Sequence, residues 1–192
     1  MMNRYSKTNN VNSKKSNECI DINNDGNIEL PIDSIIRVSQ GKEAALKLLR
    51  NKDKTVSEIS KELKRKAFSQ EEIDAVIVLL FEFDLLDDKR YCERFIEEGK
   101  ARKKGRNRIK YELFEKGLDK EMVLSKLEED YACEEEEENA IETLDKIFSG
   151  KVLDRKILEK GYGKLRYQGF GDDVIRAAIK KYKMDQEDES GI

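Results

Sequence analysis

Residues 113–127, LFEKGLDKEMVLSKL, contain the pattern that decides the fold of this 192-residue chain. The pattern recurs as LKRKAFSQEEIDAVI at 63–77 and as LRYQGFGDDVIRAAI at 165–179, so its copies begin 50 and 52 residues apart. Apolar residues occupy the first, sixth, eleventh and fifteenth positions of every copy. Self-similarity at such a period is typical of helical repeat proteins.

Two of the three copies carry a glycine, Gly117 or Gly169, directly before the apolar sixth position, where the first copy has Ala67. A glycine in this place predicts that the preceding helix ends in the left-handed conformation. Polar residues follow and predict the start of a further helix, namely Ser69, Asp119, and Gly171 with Asp172.

Apolar residues upstream of each copy also recur at helical spacing. Thr55 with Glu58, and Ser69 with Glu72, form two sequence signatures of a capping box at a helix start. We therefore predict an all-α protein of three tandem three-helix repeats, at 41–86, 87–133 and 134–186, with a short tail at 187–192. A unit of about 50 residues has a small core, so we expect the repeats to stack into an elongated, curved array.

The second helix of the third repeat contains Gly161 and Gly163. Each glycine costs about 1 kcal/mol relative to alanine inside a helix. We therefore expect this helix to be short or kinked.

Residues 1–40 are predicted to be a flexible, partly disordered extension, because their first 17 residues are almost all polar. Alternating apolar residues around Asp25-Gly26 predict a small β-hairpin within it. The acidic positions near Asp25 also imitate the start of a calcium loop. The twelfth position of that loop is Ile32 rather than the required glutamate, which argues against calcium binding.

The composition argues against an enzyme. The chain has no histidine, which removes the commonest general base and metal ligand, and its three cysteines lack metal-ligand spacing. We predict no catalytic residues, no metal and no cofactor. The odd, widely spaced cysteines fit a reducing compartment, and no segment is apolar enough to span a membrane. The sequence thus predicts a cytoplasmic protein, expected to be a monomer.

A basic segment at residues 100–110 is the predicted partner-binding site. It holds seven cations and no carboxylate although the chain has a net charge of −3, and a tyrosine follows it. Gly99 and Gly105 predict that the segment crosses a turn between two helices, which would expose it to a phosphate or an acidic protein surface. The alternative is a solvated helix end and loop. The predicted site comprises Lys100, Arg102, Lys103, Lys104, Arg106, Arg108, Lys110 and Tyr111.

Two other charged regions are assigned structural roles. A second basic set is interpreted as scattered surface charge, with a shared partner-binding face as the alternative. The acidic run Glu134–Glu138 is predicted to act as a cap and a hinge between the second and third repeats, with metal binding as the weaker alternative. The second basic set consists of Lys151, Arg155, Lys156, Lys160, Lys164, Arg166, Arg176, Lys180 and Lys181.

Several motifs together resemble the RecX family of bacterial regulatory proteins. They are AALKLL at 44–49, LLDDKRY at 85–91, GRNRI at 105–109, YEL at 111–113 and KGL at 116–118. The resemblance covers residues 41–183 and is strongest in the second repeat.

The resemblance implies binding to the filament of RecA, the bacterial recombinase that polymerises on single-stranded DNA. It further implies inhibition of filament growth, ATP hydrolysis and strand exchange, and hence a role in DNA recombination, DNA repair and the SOS response. The alternative is direct binding of single- or double-stranded DNA through the basic segment. On either reading, replacing Lys103, Lys104 and Arg106 with glutamate is expected to damage the function while the helical content stays the same.

Overall fold

The computed structural model describes residues 32–190, with side chains over 33–185. Over this range the chain is all-helical and contains no strand, as predicted, while the predicted hairpin lies outside the described residues. The helices are α1 (Ile32–Asn51), α2 (Val56–Arg65), α3 (Gln70–Glu82), α4 (Asp88–Ala101), α5 (Arg106–Glu115), α6 (Lys120–Asp130), α7 (Cys133–Phe148), α8 (Arg155–Gln168) and α9 (Asp172–Ser190).

The helices form three consecutive units, each with a separate hydrophobic core. One core joins α1, α2 and α3, the next joins α4, α5 and α6, and the last joins α7, α8 and α9. The first position of every sequence copy is fully buried, as Leu63, Leu113 and Leu165. This arrangement is consistent with the three predicted repeats, which we call repeats one, two and three.

The same turn ends the second helix of every repeat. The backbone N–H of the sixth position donates to the carbonyl of the first, at 3.2 Å for Phe68 to Leu63, 3.4 Å for Leu118 to Leu113 and 3.2 Å for Phe170 to Leu165. The residue before it is left-handed, with φ of 61° at Ala67, 78° at Gly117 and 89° at Gly169. The predicted left-handed cap is confirmed at both glycines, and it also forms at Ala67, where a side chain makes it more costly.

Helix starts agree with the sequence where a cap is present. Both capping boxes form, because Thr55 and Ser69 accept the backbone N–H of Glu58 and Glu72. Helix α1, however, begins at Ile32, inside the predicted extension and well before Gly41, where helical structure was expected to begin. At the other end, α9 continues to Ser190, through most of the predicted tail.

Helix α8 is an uninterrupted helix of 14 residues, so the prediction of a short or kinked helix is wrong. The reason is that Gly161 lies at a close helix–helix approach. A Cβ atom at Gly161 would be 2.5 Å from the Phe148 ring and 2.9 Å from Leu144, whereas one at Gly163 would meet nothing within 4 Å. The packing of α7 on α8 therefore uses the missing side chain at Gly161.

Adjacent repeats are joined through a carboxylate that accepts a backbone N–H from the preceding repeat. Asp88 of repeat two accepts the N–H of Val56 at 2.9 Å, and Glu136 of repeat three accepts the N–H of Arg106 at 2.8 Å. Val56 and Arg106 are the first residues of α2 and α5, whose N–H groups have no partner inside their own helices. We call Asp88 and Glu136 the junction carboxylates.

Candidate partner-binding surface

The basic segment runs from the end of α4 through a loop into α5, which confirms the predicted turn between two helices. Its exposure is uneven. The side chain of Arg102 is 70% exposed and Tyr111 is 63% exposed. The other six predicted site residues are only partly exposed. The expectation that the whole segment is solvent-exposed is therefore wrong.

Two lysines of the segment bind groups of repeat three. Lys100 Nζ lies 2.9 Å from Glu135 and also donates to the carbonyl of Asp130 at 2.8 Å. Lys103 Nζ donates to the side-chain oxygen of Asn139 at 2.6 Å and lies 2.9 Å from Glu142. Because Glu135, Asn139 and Glu142 lie on α7, these lysines hold repeats two and three together.

Two further cations converge on Glu112, one turn beyond Arg108 in α5. Lys104 Nζ is 2.5 Å from one oxygen of Glu112, and Arg108 Nε is 3.0 Å from the other. Burial alone would raise the pKa of Glu112, but these hydrogen bonds outweigh burial and lower it below its usual value. Glu112 therefore engages two of the seven cations of the segment and offsets one positive charge.

The remaining cations have weaker or backbone partners. The Arg106 guanidinium donates to the carbonyl of Leu127 at 2.9 Å and lies 3.5 Å from the Cys133 sulfur. Lys110 Nζ donates to the Asn107 side chain at 3.2 Å. Glutamates at 103, 104 and 106 would therefore break contacts within the fold, so the expectation that such a variant keeps its structure is not supported.

The acidic run lies in the first turns of α7, where carboxylates favour a helix N-terminus, and it also joins the repeats. The N-cap of α7 is Ala132, which has no side-chain hydrogen bond to offer. Glu135 and Glu136 instead bind Lys100 and the backbone of Arg106 in repeat two. Within the described range, no group of carboxylates, cysteines or histidines is arranged to hold a metal ion.

Exposed cations of the second basic set lie on α8. Lys156, Lys160 and Lys164 are four residues apart, so they form one row along the helix, and all three are exposed. Across residues 33–185, no carboxylate lies within ion-pair distance of any of them. We call these three lysines the α8 row. The part of this set on α8 is thus exposed surface charge, regularly spaced along one face of the helix, and a shared partner-binding face stays a prediction.

Tyr167 extends the α8 row and connects it to the basic segment. The ring is 73% exposed, and Lys164 Nζ lies 5.9 Å from its centroid. The Arg108 guanidinium lies 5.2 Å from the same centroid and donates to the Tyr167 carbonyl at 3.2 Å. The sequence analysis did not select Tyr167, although its position three residues after Lys164 places it on the same helix face.

Comparison with known proteins identifies relatives of the whole repeat region. Profiles described as the first and the second three-helix domain of RecX match residues 42–78 and 87–124. A regulatory protein RecX of Clostridium botulinum (strain Alaska E43 / Type E3) is 31% identical over 153 residues, which cover 78% of this chain and 70% of that protein. One of Clostridium perfringens (strain SM101 / Type A) is 34% identical over 144 residues, covering 73% and 67%.

Solved structures agree with these sequence matches. The crystal structure of RecX from Lactobacillus salivarius superposes with a TM-score of 0.70 at 25% identity, covering 78% of this chain and 99% of that chain. A second crystal structure, of a regulatory protein RecX, superposes with a TM-score of 0.66 at 22% identity and supports the fold alone. In the described part of the chain, no helix is both long enough and apolar enough to cross a membrane.

Proposed function

Because the chain belongs to the RecX family of regulatory proteins, we propose that it binds the RecA filament and restrains filament growth, ATP hydrolysis and strand exchange. The observation that carries this proposal is the family match, which spans 153 residues and therefore reaches beyond any single repeat. The protein would act in the cytoplasm as a monomer, without catalytic residues or a cofactor, and would modulate recombination, DNA repair and the SOS response.

The architecture supports binding to a partner made of repeated subunits. Three linked units can touch neighbouring protomers at the same time, so several weak contacts would add up through effective concentration. We place one contact at the exposed edge of the basic segment, formed by Arg102, Lys110 and Tyr111. Arg102 and Tyr111 are exposed, and Lys110, although half-buried, donates to the Asn107 side chain rather than to a carboxylate. They are therefore available to an acidic protein surface.

A DNA-stimulated ATPase assay with RecA of the same organism tests the proposal. We expect the wild-type protein to lower ATP hydrolysis and to shorten filaments seen by electron microscopy. If a stoichiometric amount changes neither quantity, the protein is not a RecA regulator.

A charge-reversed variant tests where the contact lies. Arg102→Glu combined with Lys110→Glu should weaken inhibition about tenfold or more, because each side chain would turn from attraction to repulsion. The matched control is Lys64→Glu with Lys66→Glu, which makes the same charge change at exposed positions of repeat one. Equal losses in both variants would rule out a contact specific to the basic segment.

A further inference from the structure

The α8 row occupies positions that are internally neutralised in repeat two. Residues 156, 160 and 164 lie 52 residues after Lys104, Arg108 and Glu112, which is the spacing between the two sequence copies. Glu112 binds both Lys104 and Arg108, whereas the position equivalent to Glu112 in α8 is occupied by Lys164. The three positions thus carry a net charge of about +1 in repeat two, with both cations bound by the glutamate, and +3 in repeat three, where no carboxylate of residues 33–185 lies within ion-pair distance.

Within residues 33–185, the surroundings of the α8 row do not supply the missing negative charge. Helix α8 contains five cations and a single carboxylate, Glu159, which lies 2.8 Å from Arg155. Many other cations of the described chain form ion pairs, including Lys100, Lys116 and Lys126. A row of unpaired lysines is costly through self-repulsion. An external polyanion would relieve that repulsion.

From this geometry we infer that the α8 row and Tyr167 form a binding site for single-stranded nucleic acid. Lysines four residues apart rise about 6 Å per step along a helix, so they offer one cation per turn to a chain of regularly spaced phosphates. Binding of such a chain releases counterions and gives a strong dependence on salt.

The aromatic ring favours a single strand over other polyanions. Single-strand binders combine a cationic track with aromatic rings on which unpaired bases stack, and the ring of Tyr167 is the exposed aromatic group next to the row. A duplex keeps its bases stacked internally and cannot offer one to the ring. An acidic peptide would pair with the lysines but would gain little from the ring. The inference does not rest on RecA binding, since every contact is made by this chain alone.

Fluorescence anisotropy without RecA tests the site. The probes are a labelled oligothymidylate of roughly twenty nucleotides, which exceeds the usual site size of one single-strand binding module, a duplex of the same length, and polyglutamate as a competitor. We expect the full-length protein to bind the single strand most tightly. Replacing Lys156, Lys160 and Lys164 with Gln should weaken binding and reduce the slope of log affinity against log salt by about 2, because about 0.7 counterion is released per phosphate contact on a single strand.

A single substitution copies the repeat-two arrangement into α8. Lys164→Glu would place a carboxylate one turn from Lys160, as Glu112 lies one turn from Arg108, and glutamate and lysine have similar helix propensities. We expect at least about tenfold weaker binding of the single strand, because one attraction is lost and a second cation is neutralised. Lys64→Glu is the matched control and should change affinity less than about twofold, since Lys64 lies on α2, outside the row.

Tyr167 is tested separately from the charges. Tyr167→Leu should weaken single-strand binding about tenfold, leave the salt slope unchanged and leave duplex binding unaffected, whereas Tyr167→Phe should keep the affinity. The chain has no tryptophan, so Tyr167→Trp would report directly, and its fluorescence should be quenched by the oligothymidylate. If Tyr167→Leu binds as the wild type does, or if duplex or polyglutamate binds as tightly as the single strand, the inference is wrong. RecA ATPase inhibition by Lys164→Glu, measured in parallel, distinguishes failure of this site from failure of the proposed function.

Discussion

Repeats two and three build the same core with large and small side chains exchanged between helices. In repeat two a Cβ atom at Gly99 of α4 would lie 2.6 Å from Ile109 of α5, so the small residue is on the first helix. In repeat three the small residue is Gly161 of α8, and it faces Phe148 of α7. Gly161 lies 52 residues after Ile109 and so is its equivalent. The repeats therefore preserve the volume of the core rather than the residue at each position.

The same two helices also differ in how they use charge. Helix α5 and the loop before it direct cations to Glu112 and to repeat three, whereas α8 leaves its lysines in solvent. The comparison indicates that α5 is primarily a connecting helix, whereas the lysines of α8 have no carboxylate partner within residues 33–185.

The largest expected effect on stability comes from adding a side chain at Gly161, where α7 and α8 of the third repeat approach closely. Gly161→Ala would place a methyl group against Phe148 and Leu144, and overpacking of this kind costs about 1–3 kcal/mol. Urea unfolding followed by circular dichroism would measure the loss. Adding Phe148→Leu to the same variant should restore part of it, because a smaller side chain accepts the methyl group. Unchanged stability of Gly161→Ala would show that α7 and α8 are less closely packed than described.

The second prediction concerns Glu112 and its equivalent Lys164. Glu112→Gln should lower the free energy of unfolding by about 1–2 kcal/mol at neutral pH, because two charge-assisted hydrogen bonds are weakened. Lys164→Gln should change stability little, since Lys164 has no carboxylate partner in residues 33–185. Equal effects at both positions would contradict the contrast between the two helices.

The effect of Glu112→Gln should also depend on pH. The pKa of Glu112 is lowered in the folded protein, so its contribution is present above the unfolded pKa and is lost as pH falls through the folded value. The difference between wild type and variant should therefore shrink in acid. Unfolding curves recorded at a series of pH values would show this trend.

A smaller effect of opposite sign is expected two residues after Gly161. Gly163→Ala should raise the free energy of unfolding by about 0.5–1 kcal/mol, because the added methyl group meets nothing and alanine is the better helix former. Thermal unfolding of Gly163→Ala and Gly161→Ala, recorded side by side, would measure both changes in stability. Destabilisation at both positions would show that helix propensity is not the deciding factor.

The smallest expected effect concerns the junction carboxylates. Burial raises the pKa of Asp88 and that of Glu136, even though each accepts a backbone N–H. A carboxyl group with a raised folded pKa stabilises fully below its unfolded pKa, and this contribution is lost as pH rises through the folded value. Glu136→Gln keeps an oxygen acceptor for Arg106, so the variant should gain stability relative to wild type as pH rises from acid to neutral.

Asp88→Asn provides the matched test at the junction of repeats one and two. It should show a trend of the same sign, because both carboxylates are buried and occupy the same structural role. A difference between variant and wild type that does not change with pH would contradict the prediction for that junction.

The sequence predicted the features that depend on neighbouring residues. The capping boxes at Thr55 and Ser69 and the turns at Gly117 and Gly169 involve partners within five residues, so a local pattern is sufficient. The partners of the cations in the basic segment could not be predicted in this way. Lys100 and Lys103 bind groups 30 or more residues away, and only the folded chain brings those groups together.

Other features escaped prediction because they depend on packing. Gly161 lowers the helix propensity of α8, yet the helix is kept, because the missing side chain leaves room for the ring of Phe148 on α7. The α8 row was visible in the sequence as cations, but its distinction from α5 depends on the absence of a partner carboxylate. Tyr167 became a candidate only when Arg108, from the preceding repeat, was found beside its ring.

The junction carboxylates give the chain a direction during its synthesis. The backbone N–H of Val56 bonds to Asp88, which is synthesised 32 residues later. That of Arg106 bonds to Glu136, which is synthesised 30 residues later. As the protein leaves a ribosome, the middle helix of repeats one and two therefore emerges before the acid that accepts its first N–H. If synthesis stopped between two units, the first turn of the last complete middle helix would lack its carboxylate acceptor. Folding of each of these units would therefore be completed only after the start of the next unit has been synthesised.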